Sequence, residues 1–174
     1  MFIKINSLYD FLSLLALFSY FYLFFSMDIV LVVGGLLCVF IHLIIKEITS
    51  GWYPPIFKRP DGASDCGLFN TGGLVDHNSG FPSGHVTAIS FLMNSILLNK
   101  NYTLYNIFLY NVPVLLVAYA RVMSGCHNTI QVFAGYILGI TIANILQQYK
   151  SYIYKYFDKI KNYANKIKSY YILD

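Results

Sequence analysis

Apolar residues come in five long blocks separated by short polar breaks, and this pattern predicts five helices. The blocks cover residues 8–26, 29–45, 83–98, 104–123 and 129–146. Only Met27 and Asp28 separate the first two blocks, which predicts a tight helical hairpin. A helix needs about 20 mostly apolar residues to cross a bilayer. The pattern therefore predicts an all-α fold, a polytopic membrane bundle of about five transmembrane helices.

Two stretches between the blocks are polar and are predicted to be loops. The longer one, 46–84, is too polar to span a membrane and is rich in Gly, Pro, Asp and Asn, which favour turns. The shorter one covers 124–128 and leads into the fifth helix. That helix contains Gly135 and Gly139, a small-residue pair at a spacing of four that suits close packing against another helix.

The last part of the chain, 149–174, is predicted to be a tail outside the membrane domain of 1–148. It carries six lysines: Lys150, Lys155, Lys159, Lys161, Lys166 and Lys168. Apolar residues such as Ile153, Phe157 and Ile160 recur there at spacings of three and four. A basic amphipathic helix lying on an anionic membrane surface explains both features. A partly disordered, low-complexity tail is an equal alternative at this stage.

Composition places the chain among integral membrane proteins. Hydrophobic residues make up 57% of it and charged residues only 11%, whereas ordinary soluble domains carry roughly a quarter charged residues. Lysine excess marks the cytoplasmic side of a membrane protein, so the C-terminus is predicted to be cytoplasmic. In this arrangement Lys4 lies on the side away from the cytoplasm, but this single lysine is outweighed by the six lysines of the C-terminal part. The loops 46–84 and 124–128 then share the lumenal or extracytoplasmic side, and no nucleic-acid partner is expected.

Neither the cysteines nor the loop aspartates indicate a metal site. Cys38, Cys66 and Cys126 form no metal-type pair, and the spacing of Asp61, Asp65 and Asp76 fits no known cation loop. No metal and no cofactor are therefore expected. Cys66 and Cys126 both fall in loops, where they form either a disulfide in an oxidising compartment or two free thiols.

The two loops and the helix ends beside them supply groups suited to phosphate chemistry. The residues are Lys58, Arg59, Ser83, Gly84 and His85 from the first, and Arg121, His127 and Gln131 around the second. Guanidinium groups match phosphate oxygens with two parallel hydrogen bonds. Backbone N–H groups at the start of a helix also favour an anion. Two histidines supply one nucleophile and one proton donor, as cleavage through a covalent intermediate requires.

The segments "RP", "PSGH" and R-x-x-x-x-x-H, in this order from Arg59 to Gln131, resemble the three motifs of the type 2 phosphatidic acid phosphatase superfamily, which includes vanadium haloperoxidases. The resemblance implies metal-independent hydrolysis of a lipid phosphate or diphosphate. His127 would be the nucleophile that forms a phosphohistidine. His85 would protonate the leaving oxygen and then activate water. Arg59, Arg121 and the turn Ser83–Gly84 would hold the phosphate oxygens.

The chain departs from the family pattern in its first and third motifs. Trp52 stands where the family has a lysine, so that role falls to Lys58 or to Lys46, of which Lys46 is slightly favoured. Ala120 replaces the serine that usually precedes the arginine of the third motif. Gln131 stands where most members have aspartate, and its amide oxygen accepts the same hydrogen bond without supplying charge. The pair Gln131-Val132 resembles the dolichyl-diphosphatase branch, although that branch has a serine where Gly84 stands.

Three functions are open on the sequence alone. A phosphatase acting on lipid phosphate or polyprenyl diphosphate is favoured. The alternatives are a lipid phosphotransferase of the same fold and a catalytically inactive membrane scaffold. For each candidate histidine or arginine, the competing interpretation is a side chain that anchors a helix at the membrane interface. His42 is predicted to be a packing or interhelical hydrogen-bonding residue, and His77 a loop residue.

Overall fold

A computed structural model describes residues 7–51, 54–76 and 78–171, and these ranges form an all-α bundle. Its helices are α1 (Leu8–Phe25), α2 (Ile29–Ser50), α3 (Gly84–Leu97), α4 (Leu104–Met123) and α5 (Thr129–Tyr171), with a 3₁₀ turn at Pro55–Phe57. Among the described residues, pairing between extended segments is limited to isolated bridges. All helices but α3 are long and apolar enough to cross a membrane. The predicted helical membrane bundle is therefore confirmed, while Lys4, Trp52 and His77 lie outside the described residues.

The starts of the first helices are set by polar residues in the breaks between apolar blocks. The hydroxyl of Ser7 accepts a hydrogen bond from the backbone N–H of Asp10, and the carboxylate of Asp28 accepts one from Val30. Such N-caps satisfy backbone donors that have no partner within the helix. This is why the helical hairpin turns within Met27 and Asp28, as predicted.

Helix α3 is the centre of the bundle. Every residue from Pro82 to Leu92 is buried, and α3 packs against α1, α2, α4 and α5. The residues that start α3 are consequently held from all sides.

Two glycines let α5 approach the backbone of α3. A Cβ atom at Gly139 would lie 2.5 Å from the carbonyl oxygen of Thr87 and 2.7 Å from the backbone nitrogen of Phe91. At Gly135 it would lie 2.6 Å from the carbonyl oxygen of Ser83. The small-residue pair seen in the sequence is thus the contact surface between these two helices.

Helix α5 is longer than predicted. The expected end was residue 146, whereas the helix continues to Tyr171 over 43 residues. No Gly or Pro follows Gly139, so nothing in the local chemistry stops the helix. At about 1.5 Å per residue it exceeds the roughly 30 Å hydrocarbon core of a bilayer. Within the described residues the tail continues α5 as helix, and the division at 148/149 stays a prediction.

The bundle has two chemically different ends. At the first, here called the site end, the amide of Asn70 donates to the carbonyl oxygen of Asp10 (2.9 Å), which ties the long loop to the start of α1. At the other, the lysine end, Tyr154 donates to Asp28 (3.0 Å). Lys150 also donates to Asn99 there (2.9 Å). Both loops that carry the predicted site residues therefore lie at the same end.

Candidate active site

A cavity of about 840 Å³ opens between α1 and α2 at the site end. Lys46, Arg59, His85 and His127 line its polar part, together with Gly84 and His42. Toward the middle of the bundle its walls are apolar and largely aromatic: Leu17, Tyr20, Phe21, Phe24, Phe25, Val39 and Leu43. The structure thus brings together both predicted histidines, one predicted arginine and one predicted lysine.

Gln131 fixes the orientation of the His127 ring. Its amide nitrogen donates to the carbonyl oxygens of Ile56 (2.9 Å) and Lys58 (2.7 Å). Backbone carbonyls can only accept, so the end of the Gln131 amide that faces them must be the nitrogen. The amide oxygen therefore faces His127, and it lies 3.0 Å from Nδ1 of that ring. Nδ1 must then carry the proton, so Nε2 keeps its lone pair. Gly80 leaves the space for this amide, since a Cβ there would collide with it.

Positive groups surround His127. Arg59 donates to the carbonyl oxygen of Cys126 (2.8 Å), and the same guanidinium nitrogen lies 3.4 Å from Nε2 of His127. Burial, together with the charges of Arg121, Arg59 and Lys46, holds the pKa of His127 well below its ordinary value of 6.5. The ring is consequently neutral at neutral pH, as a nucleophile requires.

Three of the predicted site residues have a buried polar atom without a hydrogen-bond partner among the described residues. These atoms are Oγ of Ser83, Nε2 of His85 and Nε of Arg121. Buried polar groups in proteins are nearly always paired, so unpaired ones call for a reason. An anion rich in acceptor oxygens is one ligand that would pair with hydroxyl, imidazole and guanidinium donors.

Arg121 is placed differently from Arg59. Its side chain is 1% exposed and is not part of the cavity lining. One guanidinium nitrogen donates to the carbonyl oxygen of Cys66 (2.7 Å), and another lies 3.5 Å from the hydroxyl of Ser13. Of the two predicted arginines, Arg59 therefore reaches the cavity and Arg121 lies behind its wall.

The two candidate lysines also differ in position. Lys46 lines the cavity from α2, whereas Lys58 is not among the lining residues. The backbone of Lys58 instead accepts the hydrogen bond from Gln131 and forms an isolated bridge with Ser79. The geometry favours Lys46 for the role that the family assigns to a lysine before the arginine.

Sequence reasoning missed His42, which lines the same cavity. Its Nδ1 donates to the carbonyl oxygen of Cys38 within α2 (2.7 Å), so the expected interhelical bond is not what this atom makes. A Cβ at Gly84 would lie 2.8 Å from Nε2 of His42. The available signal was the spacing of four between His42 and Lys46, which places both on one face of α2.

Two further questions left open by the sequence concern the cysteines and the loop aspartates. Cys66 and Cys126 form a disulfide, and Cys38 is a buried free thiol. The described residues hold no group of three or more His, Cys, Asp or Glu side chains that suits a metal ion. Asp65 accepts a hydrogen bond from the backbone of Gly73 (3.0 Å) and so shapes its own loop.

Comparison with known proteins gives one match. The family model described as PAP2 superfamily matches residues 27–155, a range that includes every residue predicted for the site. No curated protein matches the chain, and no solved structure does.

Proposed function

The chain belongs to the PAP2 superfamily, and this membership supports a phosphoric ester hydrolase; we propose that it hydrolyses the phosphate or diphosphate group of a membrane lipid. One observation carries this proposal. His85, His127, Arg59 and Lys46 line the polar part of a cavity whose remaining walls, between α1 and α2, are apolar. A ligand that fits both parts has an anionic head and an apolar tail.

The proposed reaction begins with attack of Nε2 of His127 on phosphorus. The bond from phosphorus to the leaving oxygen breaks, and His85 gives its proton to that oxygen. A phosphohistidine remains on His127. His85 then takes a proton from water, which attacks the phosphohistidine and releases inorganic phosphate, so both histidines return to their starting states. The positive charge of Lys46 and Arg59 stabilises the phosphoryl oxygens during both transfers.

The apolar part of the cavity supports a lipid as substrate. Tyr20, Phe21, Phe24 and Phe25 line it from α1, and Val39 and Leu43 from α2. Bound there, a chain keeps its apolar surface out of water, which stabilises binding by about 25 cal/mol per Å² of buried area. Among lipids we favour polyprenyl diphosphates, because Gln131-Val132 resembles the dolichyl-diphosphatase branch.

Two features support a site on the lumenal or extracytoplasmic side. The six lysines of the C-terminal part mark the lysine end as cytoplasmic. The disulfide between Cys66 and Cys126 belongs to the site end, and disulfides form and persist in oxidising compartments. Charge and redox chemistry thus give the same orientation.

The test is phosphate release by the purified protein in detergent. We expect turnover of polyprenyl or glycerolipid phosphates in the presence of EDTA, inhibition by orthovanadate, and a loss of about 10³-fold or more in His127→Ala. His77→Ala is the matched histidine control and should keep wild-type rates. Wild-type rates in His127→Ala would disprove the proposed mechanism.

Labelled lipid diphosphate plus an acceptor lipid separates the remaining functions. Release of labelled inorganic phosphate supports the phosphatase. Label found on the acceptor instead identifies a phosphotransferase. A protein that does neither, across mono- and diphosphate lipids, is a scaffold without catalysis.

A further inference from the structure

The disulfide joins the two loops of the active site to one another. Cys66 belongs to the long loop between α2 and α3, and Cys126 to the short loop between α4 and α5. The two residues are 60 positions apart in the chain, and their Cα atoms lie 5.5 Å apart. Cys126 directly precedes the proposed nucleophile His127.

Each site arginine donates to the backbone of the cysteine on the opposite side of this link. Arg59, on the long loop, donates to the carbonyl oxygen of Cys126 (2.8 Å). Arg121, at the end of α4, donates to the carbonyl oxygen of Cys66 (2.7 Å). Both acceptors therefore belong to residues that the disulfide holds at a fixed separation.

The outer part of the long loop is also held to the start of α1, where Asn70 donates to the carbonyl oxygen of Asp10. A small apolar cluster of Ala63, Cys66, Cys126 and Val75 packs there, and the bridge between Ser64 and Leu74 lies within the loop itself. Gln131 holds the segment around Lys58, but not the segment that contains Cys66. A carbonyl positions a guanidinium group only if its own backbone is held in place.

We propose that the Cys66–Cys126 disulfide is a positioning element of the active site, which fixes the guanidinium groups of Arg59 and Arg121 relative to His127. The inference rests on the proposed function in one respect, namely that Arg59 stabilises a bound phosphate at His127, while Arg121 holds the Cys66 side of the link from behind the cavity wall. Without the disulfide, the two loops are no longer held at a fixed separation. The carbonyl oxygens of Cys126 and Cys66, which accept from Arg59 and Arg121, are then less firmly positioned. Phosphate affinity and turnover then fall, although both catalytic histidines are intact.

The test compares the oxidised wild-type protein with Cys66→Ser/Cys126→Ser. Orthovanadate, which mimics the transferring phosphoryl group, is the binding probe, and its Kd is measured at a temperature where both proteins are folded by circular dichroism. We expect the double variant to bind orthovanadate about tenfold or more weakly. Its kcat/KM should fall by about 10²-fold, the effect of misplacing groups at a reacting centre by about 1 Å.

Two controls separate positioning from general stability. Cys38→Ala removes a buried thiol that does not line the cavity, and it should leave orthovanadate affinity within about twofold of wild type. The wild-type protein is also reduced and freed of reductant before orthovanadate is added, because thiol reductants reduce orthovanadate itself. Reduction should weaken orthovanadate binding by the wild type and reoxidation should restore it, whereas neither treatment should affect the double variant.

The outcomes distinguish this inference from the proposed function. Equal orthovanadate affinity in the oxidised wild type and the double variant overturns the positioning role, whatever the change in melting temperature. An absence of orthovanadate binding in both proteins overturns it too. Tighter binding by the oxidised wild type supports it. Failure of that same protein to release phosphate from any lipid would reject the hydrolase proposal alone.

Discussion

At the scale of single residues, Gln131 makes contacts that an aspartate could not make. Its amide oxygen faces the proton on Nδ1 of His127, while its amide nitrogen donates to the carbonyl oxygens of Ile56 and Lys58. A carboxylate has no donor for those carbonyls. Gln131 therefore orients the ring of His127, the proposed nucleophile, and also ties the segment that carries Arg59 to the start of α5.

We expect Gln131→Glu to be less stable and less active than wild type, even though it adds a negative charge beside His127. A carboxylate oxygen would face two carbonyl oxygens, and loss of a buried hydrogen bond costs about 1–3 kcal/mol. Melting temperature and kcat check this prediction. Gln148→Glu, at an exposed position of α5, is the control and should resemble wild type. A Gln131→Glu enzyme as stable and as fast as wild type would contradict the double role.

The pH profile reports the neutral state of His127. Protonated His127 cannot attack, so on the acid side kcat/KM falls as pH drops through the pKa of His127, which burial and nearby positive charge hold well below 6.5. We expect the acid limb of the kcat/KM profile to lie well below pH 6.5.

Variants of Arg59 test whether the acid limb of the kcat/KM profile reports the titration of His127. Arg59→Gln removes one positive charge next to His127, which raises the pKa of His127 and moves the acid limb to higher pH. Arg59→Lys keeps the charge and should leave the limb in place, although both variants lose rate. A limb that does not move in Arg59→Gln would assign it to another group.

At the scale of elements, the closeness of α3 and α5 determines how the site is assembled. Helix α3 carries His85, and α5 begins two residues after His127. Ser83 also donates its backbone N–H to the carbonyl oxygen of Gln131 (3.0 Å), which joins the starts of the two helices. Glycines along α5 make this approach possible, so packing in the bundle sets the distance between the two histidines.

We expect Gly139→Ala to destabilise the bundle. The added Cβ would lie 2.5 Å from the carbonyl oxygen of Thr87, and overpacking of this kind costs about 1–3 kcal/mol. Gly51→Ala is the matched control, because among the described residues no atom beyond its chain neighbours lies within 4 Å of a Cβ there. Thermal unfolding in detergent measures both. A Gly139→Ala protein with the melting temperature of Gly51→Ala would show that α3 and α5 can separate without cost.

At the scale of the whole molecule, the cluster of C-terminal lysines and the disulfide lie at opposite ends of the bundle. Lys150 and the lysines after it belong to the lysine end, while Cys66 and Cys126 belong to the site end. Lysine excess favours the cytoplasmic side of a membrane protein, and disulfides persist in oxidising compartments. The molecule is therefore expected to have one orientation.

Single cysteines introduced in a Cys38→Ala background test this orientation. Asp61→Cys lies at the site end and Lys161→Cys on the C-terminal part of α5, both at exposed positions. In intact cells or sealed vesicles, a membrane-impermeant maleimide should label them from opposite faces, Asp61→Cys from the extracytoplasmic or lumenal one. The parent protein, with its disulfide intact, is the unlabelled control. Labelling of both positions from one face would refute the arrangement.

Helices and reactive residue types were predictable from the sequence alone. Apolar blocks and the polar breaks between them predicted the starts of all five helices to within one residue, because helix formation and membrane burial depend on local composition. The end of α5 was not predictable from hydropathy, since a polar segment without Gly or Pro can remain helical. The same reasoning named Lys46, Arg59, His85 and His127, which line the cavity, but it missed His42 and also named Arg121 and Lys58, which do not line it.

The sequence by itself determined the membrane class, the helical elements and the set of groups available for phosphate chemistry, since these depend on residue type and on spacing along the chain. Only the tertiary structure decided that Lys46 rather than Lys58 lines the cavity, that Arg121 lies behind its wall, that His42 belongs to the lining, and that Cys66 pairs with Cys126. Those outcomes depend on how closely α3 and α5 pack and on the path of the long loop across the bundle. Distances between residues far apart in the chain are set by that packing, which no local pattern encodes.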